Sequence, residues 1–320
     1  ISAMVLEKTI DQKIVQNCNE WAENGIRVLA FAYKEINELP SKITKETIEC
    51  NLIFSGLLGL MDPPREEVYK AIEACKNAGI KPVMITGDHP ATAEAVAKIV
   101  GIWNEGGKTI TGSMLDEMDE EIFLADVKNI TVYARVSAEQ KLKIIKAFQY
   151  NNHFLAMTGD GVNDAPSLKS ADIGIAMGIC GTEVSKEASD MILLDDNFST
   201  IVNAVEEGRI INDNIKKFIK YIITCNSAEI WIIFFAPFLG LPIPLMPIQI
   251  LWINLITDAF PGLALVNEKA EIDIMNRPPR PTKESLFAGG IAFHIVWVGI
   301  FMAALTLGLQ GWEIHQKNEH

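Results

Sequence analysis

Apolar residues follow two regimes along the chain. Up to about residue 215 they come in short runs divided by densely charged segments; beyond it lie three long apolar stretches, at about 216–241, 246–266 and 287–311. Each is near or above the roughly 20 residues that cross about 30 Å of hydrocarbon. The pattern predicts three membrane helices, with buried core helices as the alternative. Basic residues set the expected orientation. Lys216, Lys217 and Lys220 flank the first stretch, and Lys269, Arg277, Arg280 and Lys283 fill the connection between the second and third. The soluble part and that connection are therefore expected in the cytoplasm, and the uncharged turn at 240–245 outside.

Before residue 215 the short runs alternate with helical periodicity. The segment 80–86 (IKPVMIT) ends in Gly-Asp and precedes a helix-like stretch at 90–100, with Pro90 suited to a first turn. The pattern recurs in a strand at 131–135, a helix at 138–150 and a strand at 153–158 that ends in Gly159-Asp160-Gly161. Strands alternating with helices predict a parallel α/β sheet, whose ligands bind beyond the carboxyl ends of the strands. Both Gly-Asp turns sit at such ends. Residues 1–58 differ, with a helix near 11–23, a strand at 27–33 and an apolar run at 51–60. The run leads to Asp62-Pro63-Pro64-Arg65, which reads as a hinge because adjacent prolines stiffen the chain and cannot continue a ladder. The expected domains are 1–58, 59–211 and the membrane region 212–320.

Composition fits this mosaic: of 320 residues, 49% are hydrophobic and 22% charged, and the mean hydropathy is +0.18. A net charge of −13 excludes a basic nucleic-acid-binding face. The five cysteines (Cys18, Cys50, Cys75, Cys180, Cys225) show no metal-ligand spacing, so reduced thiols are expected. The first residue is Ile and no signal peptide precedes the soluble part, so further sequence is expected upstream.

The densest chemistry lies in Met157-Thr158-Gly159-Asp160-Gly161-Val162-Asn163-Asp164-Ala165-Pro166. Two carboxylates, an amide and glycine-permitted backbone suit Mg²⁺ and phosphate together; a polar turn is the bland alternative. Lys141 begins a helix shortly after a strand, where it either neutralises a phosphoryl group or lines a solvated face. Ionisable groups inside a membrane span default to function. Asn226 and Glu229 are spaced i, i+3 on one helical face, and Asn254, Thr257 and Asp258 follow in the second stretch. Facing oxygens of this kind make a cage for a hard cation, or else pair helices by hydrogen bonds.

TGDGVNDAP at 158–166, MITGDHPATA at 84–93, DPPR at 62–65 and ARVSAEQK at 134–141 together resemble the P-type cation-transporting ATPases. The resemblance implies a haloacid-dehalogenase-like phosphorylation domain joined to an all-α membrane region. It implies that Asp160 binds the Mg²⁺ that accompanies phosphorylation, that Asn163 and Asp164 orient the phosphoryl site, and that Lys141 contacts the phosphate. Thr86, Gly87 and Asp88 match a segment near phosphate and nucleotide, and Arg27 and Arg135 match arginines that contact ATP. Residues 1–58 then correspond to the tail of a nucleotide-binding domain. Asn226, Glu229, Asn254, Thr257 and Asp258 resemble the sarcoplasmic-reticulum-type calcium pumps, where such positions help hold Ca²⁺.

The implied activity is ATP-driven calcium transport through an aspartyl phosphate, in the lipid bilayer of a bacterial plasma membrane. The chain departs from the family in having no DKTGT motif, which carries the phosphorylated aspartate, and no TGES motif. It is therefore expected to be a C-terminal portion that works with the remaining portions of the same pump and is inactive alone. Alternatives are a sodium–potassium or proton pump of the same class, a membrane-anchored phosphatase of the same superfamily, or a non-catalytic fragment.

Overall fold

The computed structural model describes residues 12–23, 26–36, 44, 49–50, 52–60, 64–104, 106–281 and 284–318. The chain divides into two compact units, Ile1–Val202 and Asn203–His320.

The first unit opens with α1 (Gln12–Glu23) and an antiparallel pair, β1 (Arg27–Tyr33) and β2 (Ile53–Leu60). Asp62 and Pro63 of the expected hinge lie outside the described residues; Pro64 and Arg65 lead into α2 (Glu66–Asn77). Then come β3 (Met84–Ile85), α3 (Pro90–Ile99), β4 (Lys108–Thr111), α4 (Gly112–Glu117), α5 (Glu120–Asp126) and β5 (Ile130–Ala134). They are followed by α6 (Ala138–Tyr150), β6 (Ala156–Gly159), α7 (Ala165–Ser170), β7 (Ile173–Met177), α8 (Glu183–Glu187) and β8 (Met191–Leu193).

Local chemistry explains several boundaries. Pro90 occupies the first turn of α3, where its missing N–H costs nothing, and the His89 side chain caps Ala91 N. Ser137 and Gln140 form a reciprocal capping box that starts α6. The predicted strand at 80–86 shrinks to Met84–Ile85, because Pro82 can donate no ladder hydrogen bond. The expected strand at 153–158 begins later, at Ala156. Sequence periodicity missed β4, β7 and β8, whose lengths of four, five and three residues carry little periodic signal.

The parallel strands form two sheets, β3–β5–β4 and β6–β7–β8. The α/β class is as expected, but among the described residues no ladder joins the sheets. β3 and β6 are edges, each paired on one side only. Ile85 of β3 nevertheless packs against both the main core (Leu115, Phe123, Ile130, Tyr133, Ile144) and the cluster of Ile145, Met157 and Leu168. The sheets therefore meet through apolar side chains without sharing backbone hydrogen bonds.

The long helix α9 (Phe198–Phe235) begins well before the predicted start near 216. A 3₁₀ turn at Pro237–Leu239 ends in Gly240, whose φ of +67° an L side chain tolerates poorly. The second stretch is composite, with α10 (Pro247–Trp252), a π-helical segment (Ile253–Asp258) and α11 (Ala259–Val266). The third, α12, runs Ile291–Asn318 rather than 287–311. Its start is delayed because Gly289 and Gly290 adopt φ of +67° and +85°, which no right-handed helix accommodates. All three stretches are long and apolar enough to cross a membrane.

The connection between the second and third stretches is anchored to α9 by charge. Arg277 pairs with Asp213 at 2.8 Å and Asp273 at 2.6 Å, and Arg209 donates to the carbonyls of Ile274 and Arg277 at 2.8 Å. Asn214, 2% exposed, donates to the carbonyls of Val266 and Glu268.

Among the described residues β3, β4, β6 and β8 are all edge strands, and open edges are templates for pairing with other chains. Residues 1–202 expressed alone are expected to self-associate, as read by light scattering after gel filtration. A monomer with a cooperative melt contradicts this.

Candidate functional site

The carboxyl ends of β3, β5 and β6 carry most of the soluble residues singled out in the sequence. At the end of β3, the Asp88 N–H donates to Thr86 Oγ1 at 3.1 Å, and that hydroxyl donates to Asp88 Oδ2 at 3.2 Å. The turn is fastened to the end of β5, since Arg135 N donates to the Asp88 carbonyl at 3.1 Å and Val136 N to the Thr86 carbonyl at 3.3 Å. Arg135 adopts φ of +52° and leaves its side chain exposed. A left-handed conformation costs a non-glycine residue about 1 kcal/mol or more, and such strain concentrates at functional sites.

From the end of β5, α6 carries Lys141 to the β6 loop, where Lys141 Nζ lies 2.6 Å from Asp164 Oδ1. The two side chains are 18% and 10% exposed. Asp164 Oδ2 accepts from Gly161 N at 3.3 Å, closing the loop on itself. Gly159 is required at the end of β6, because a Cβ there would meet Asp164 Cβ at 2.6 Å. Asp164 is thus committed to holding the loop and its lysine. Asp160 and Asn163 instead present exposed side chains. The Asp160 carbonyl is held from behind, accepting from Thr182 N at 2.9 Å and Ser185 Oγ at 3.2 Å at the start of α8.

These residues fit a hard divalent cation. Asp160 and Asn163 offer two exposed oxygen donors, in the loop whose Asp164 holds the Lys141 ammonium. Arg27 opens β1, in a sheet separate from these loops, and its side chain lies outside the described residues.

The sequence reading missed Asp196. Its carboxylate accepts from Ile179 N at 3.0 Å and Cys180 N at 2.8 Å, holding the loop after β7. Those hydrogen bonds, Ile179 foremost, pull its pKa down to about 2. The partners lie 16 and 17 residues away, so no local motif advertises them.

In the second unit, Glu229 and Asp258 are 9% and 4% exposed, and Glu229 Oε1 and Asp258 Oδ2 each lack a hydrogen-bond partner. Asn254 Nδ2 approaches Glu229 Oε2 at 3.4 Å, which brings the first and second stretches together at the carboxylates. Asn226 is half-buried one helical turn before Glu229. Thr257 exposes its side chain, and its carbonyl accepts from Tyr221 Oη at 2.9 Å. Pro261 explains that bond. A helix carbonyl normally accepts from the N–H four residues on, and for Thr257 that position is a proline with none to give. The π-helical segment at Ile253–Asp258 and the Tyr221 hydroxyl accommodate the interruption.

The two ends of the chain match known families separately. Residues 6–172 match the haloacid dehalogenase-like hydrolases, and residues 242–320 match the C-terminus of cation transporting ATPases. The chain belongs to the haloacid dehalogenase-like hydrolase family, in the form that carries a cation transporting ATPase C-terminus. It is 50% identical over 288 residues to a calcium-transporting ATPase of Bacillus subtilis, an alignment covering 89% of this chain and 32% of that protein. It is 47% identical over 303 residues to calcium-transporting ATPase 1 of Bacillus cereus, covering 95% of this chain and 34% of the relative. With calcium-transporting ATPase 1 of Lactococcus lactis it shares 48% identity over 282 residues, 88% of this chain and 32% of the relative. The chain spans about a third of the length of these curated relatives.

Two predictions follow from the geometry. Lys141→Met leaves Asp164 as an uncompensated, mostly buried anion, so it is expected to cost about 3 kcal/mol. The double variant Lys141→Met, Asp164→Asn recovers most of that loss in chemical denaturation. For Asp196, a lowered pKa means that its stabilisation is present above the ordinary carboxylate range and lost as pH falls through about 2. Amide exchange at Ile179 and Cys180 is expected to accelerate across that window, and Asp196→Asn to abolish the pH step.

Proposed function

We propose that the chain is the phosphate-handling and ion-holding portion of an ATP-driven calcium translocase that works through an aspartyl-phosphate intermediate. The observation that carries this reading is the pair Glu229 and Asp258, buried in long apolar helices with one carboxylate oxygen each left without a partner. Bare carboxylates in such surroundings are costly unless a cation occupies the space between them. With Asn226, Asn254 and Thr257 they supply the oxygen-rich donor set that suits Ca²⁺ as cargo. A membrane-anchored phosphatase has no use for that set. The names of the relatives support calcium over the other cations.

The soluble loops fit the energy-supplying half. Asp160, with Asn163 beside it, would hold Mg²⁺, which would offset the charge of the phosphate oxygens. Lys141, oriented by Asp164, meets the phosphoryl oxygens. Thr86, Gly87 and Asp88 sit with Arg135 on the nucleotide side, and Arg27 is assigned to nucleotide contact by the resemblance. The nucleophilic aspartate comes from a DKTGT motif, which these 320 residues do not contain. The chain alone is accordingly expected to form no phosphoenzyme, and the remaining portions of the same pump complete it. The apolar helices lie in the lipid bilayer of the plasma membrane, with the soluble unit and the 267–284 connection on the cytoplasmic side.

The test is transport by the full-length protein that carries these residues, in inside-out membrane vesicles. Asp258→Asn or Glu229→Gln is expected to abolish both ATP-driven ⁴⁵Ca²⁺ uptake and calcium-dependent phosphorylation. Asp160→Asn is expected to lower phosphorylation by about 10²-fold or more while sparing calcium binding. Phosphoenzyme that forms in Asp258→Asn with unchanged calcium dependence overturns the assignment.

A further inference from the structure

Cys225 stands in α9 immediately before Asn226 and one helical turn before Glu229, and the proposed oxygen cage makes no use of it. It lies one turn after Tyr221 and one turn before Glu229 on the same helix, and both neighbours meet the second stretch, Tyr221 Oη donating to the Thr257 carbonyl at 2.9 Å and Glu229 Oε2 accepting from Asn254 Nδ2 at 3.4 Å. Asp258, next to Thr257 in the second stretch, is 4% exposed and keeps Oδ2 unpartnered, and Glu229 Oε1 is equally bare one turn after Cys225. One sulfur and two carboxylates therefore converge on the same buried space.

We propose that Cys225 is a specificity-determining residue which lets this cation site take up thiophilic divalent cations, zinc or cadmium, in competition with calcium. The proposal rests on the reading of Glu229 and Asp258 as a cation site. Calcium favours six to eight oxygens and gains little from sulfur, whereas thiolate sulfur selects softer ions that accept fewer ligands. Uptake forms a metal–sulfur bond and releases the thiol proton to solvent. The carboxylates serve either ion, so the sulfur shifts the preference without removing calcium binding. The other cysteines (Cys18, Cys50, Cys75 and Cys180) belong to the first unit.

The test is cadmium titration of the protein in lipid nanodiscs, read by the ultraviolet sulfur-to-cadmium charge-transfer band. In a background with Cys18, Cys50 and Cys180 changed to Ser and Cys75 to Ala, the band is expected to appear. Further replacement by Cys225→Ser is expected to remove it, and excess calcium to suppress it. No band in the single-cysteine protein, or a band indifferent to saturating calcium, overturns the proposal. If that background does not fold, the natural chain is compared with Cys225→Ser alone. Loss of part of the band then supports the proposal, and an unchanged amplitude overturns it. Direct ⁴⁵Ca²⁺ binding separates the two readings. Calcium binding retained in Cys225→Ser with the cadmium band lost is the expected pair of results. Calcium binding in both proteins with no cadmium band defeats the proposal alone, whereas no calcium binding to the natural chain defeats the cation site itself.

Discussion

Lys141 and Asp164 lie 2.6 Å apart at the carboxyl ends of two sheets that share no ladder among the described residues. The pair forms because α6 starts at a fixed place, set by the Ser137–Gln140 capping box, which puts Lys141 on the first turn facing the β6 loop. Asp164 answers by folding back onto Gly161 N, and Gly159 makes room for it. Behind the pair, Ile85, Ile145 and Met157 pack the sheets together. With the carboxylate of Asp164 spent on structure, Asp160 is the loop carboxylate left facing solvent.

The apolar helices obey a related rule with the signs changed. In hydrocarbon every backbone carbonyl needs a partner within the protein. Pro261 deprives Thr257 of its usual donor, and Tyr221 supplies another from the neighbouring helix. The same irregular stretch contains Asn254 and the buried Asp258. Backbone repair and side-chain convergence are thus two results of one interruption, which brings Asn254 to Glu229 with the buried Asp258 one turn further on.

Much of the soluble architecture was legible from spacing. The helix at 138–150, the strand at 27–33 and the Gly-Asp turns at strand ends could be read because period and punctuation are local properties. The resemblance carried by TGDGVNDAP pointed to the same fold class that the family matches establish. Short strands such as Met191–Leu193 were not legible, because three residues hold no period. The anchors of the loops were hidden for a different reason. Ser185 reaches the Asp160 carbonyl across 25 residues, and Asp196 reaches Cys180 across 16. Each is an ordinary polar residue until the chain returns.

By itself the sequence determined the helices near 11–23, 90–100 and 138–150, that three further stretches are apolar enough for a membrane, and that Asn226 and Glu229 share a face, since periodicity and hydropathy act through near neighbours. Tertiary structure alone decided that Asp164 is paired while Asp160 is exposed, and that Tyr221 replaces the donor missing at Pro261. It also brought Asn254 to Glu229. Those outcomes depend on contacts between residues tens of positions apart, which form only when the elements pack and buried polar groups must find partners.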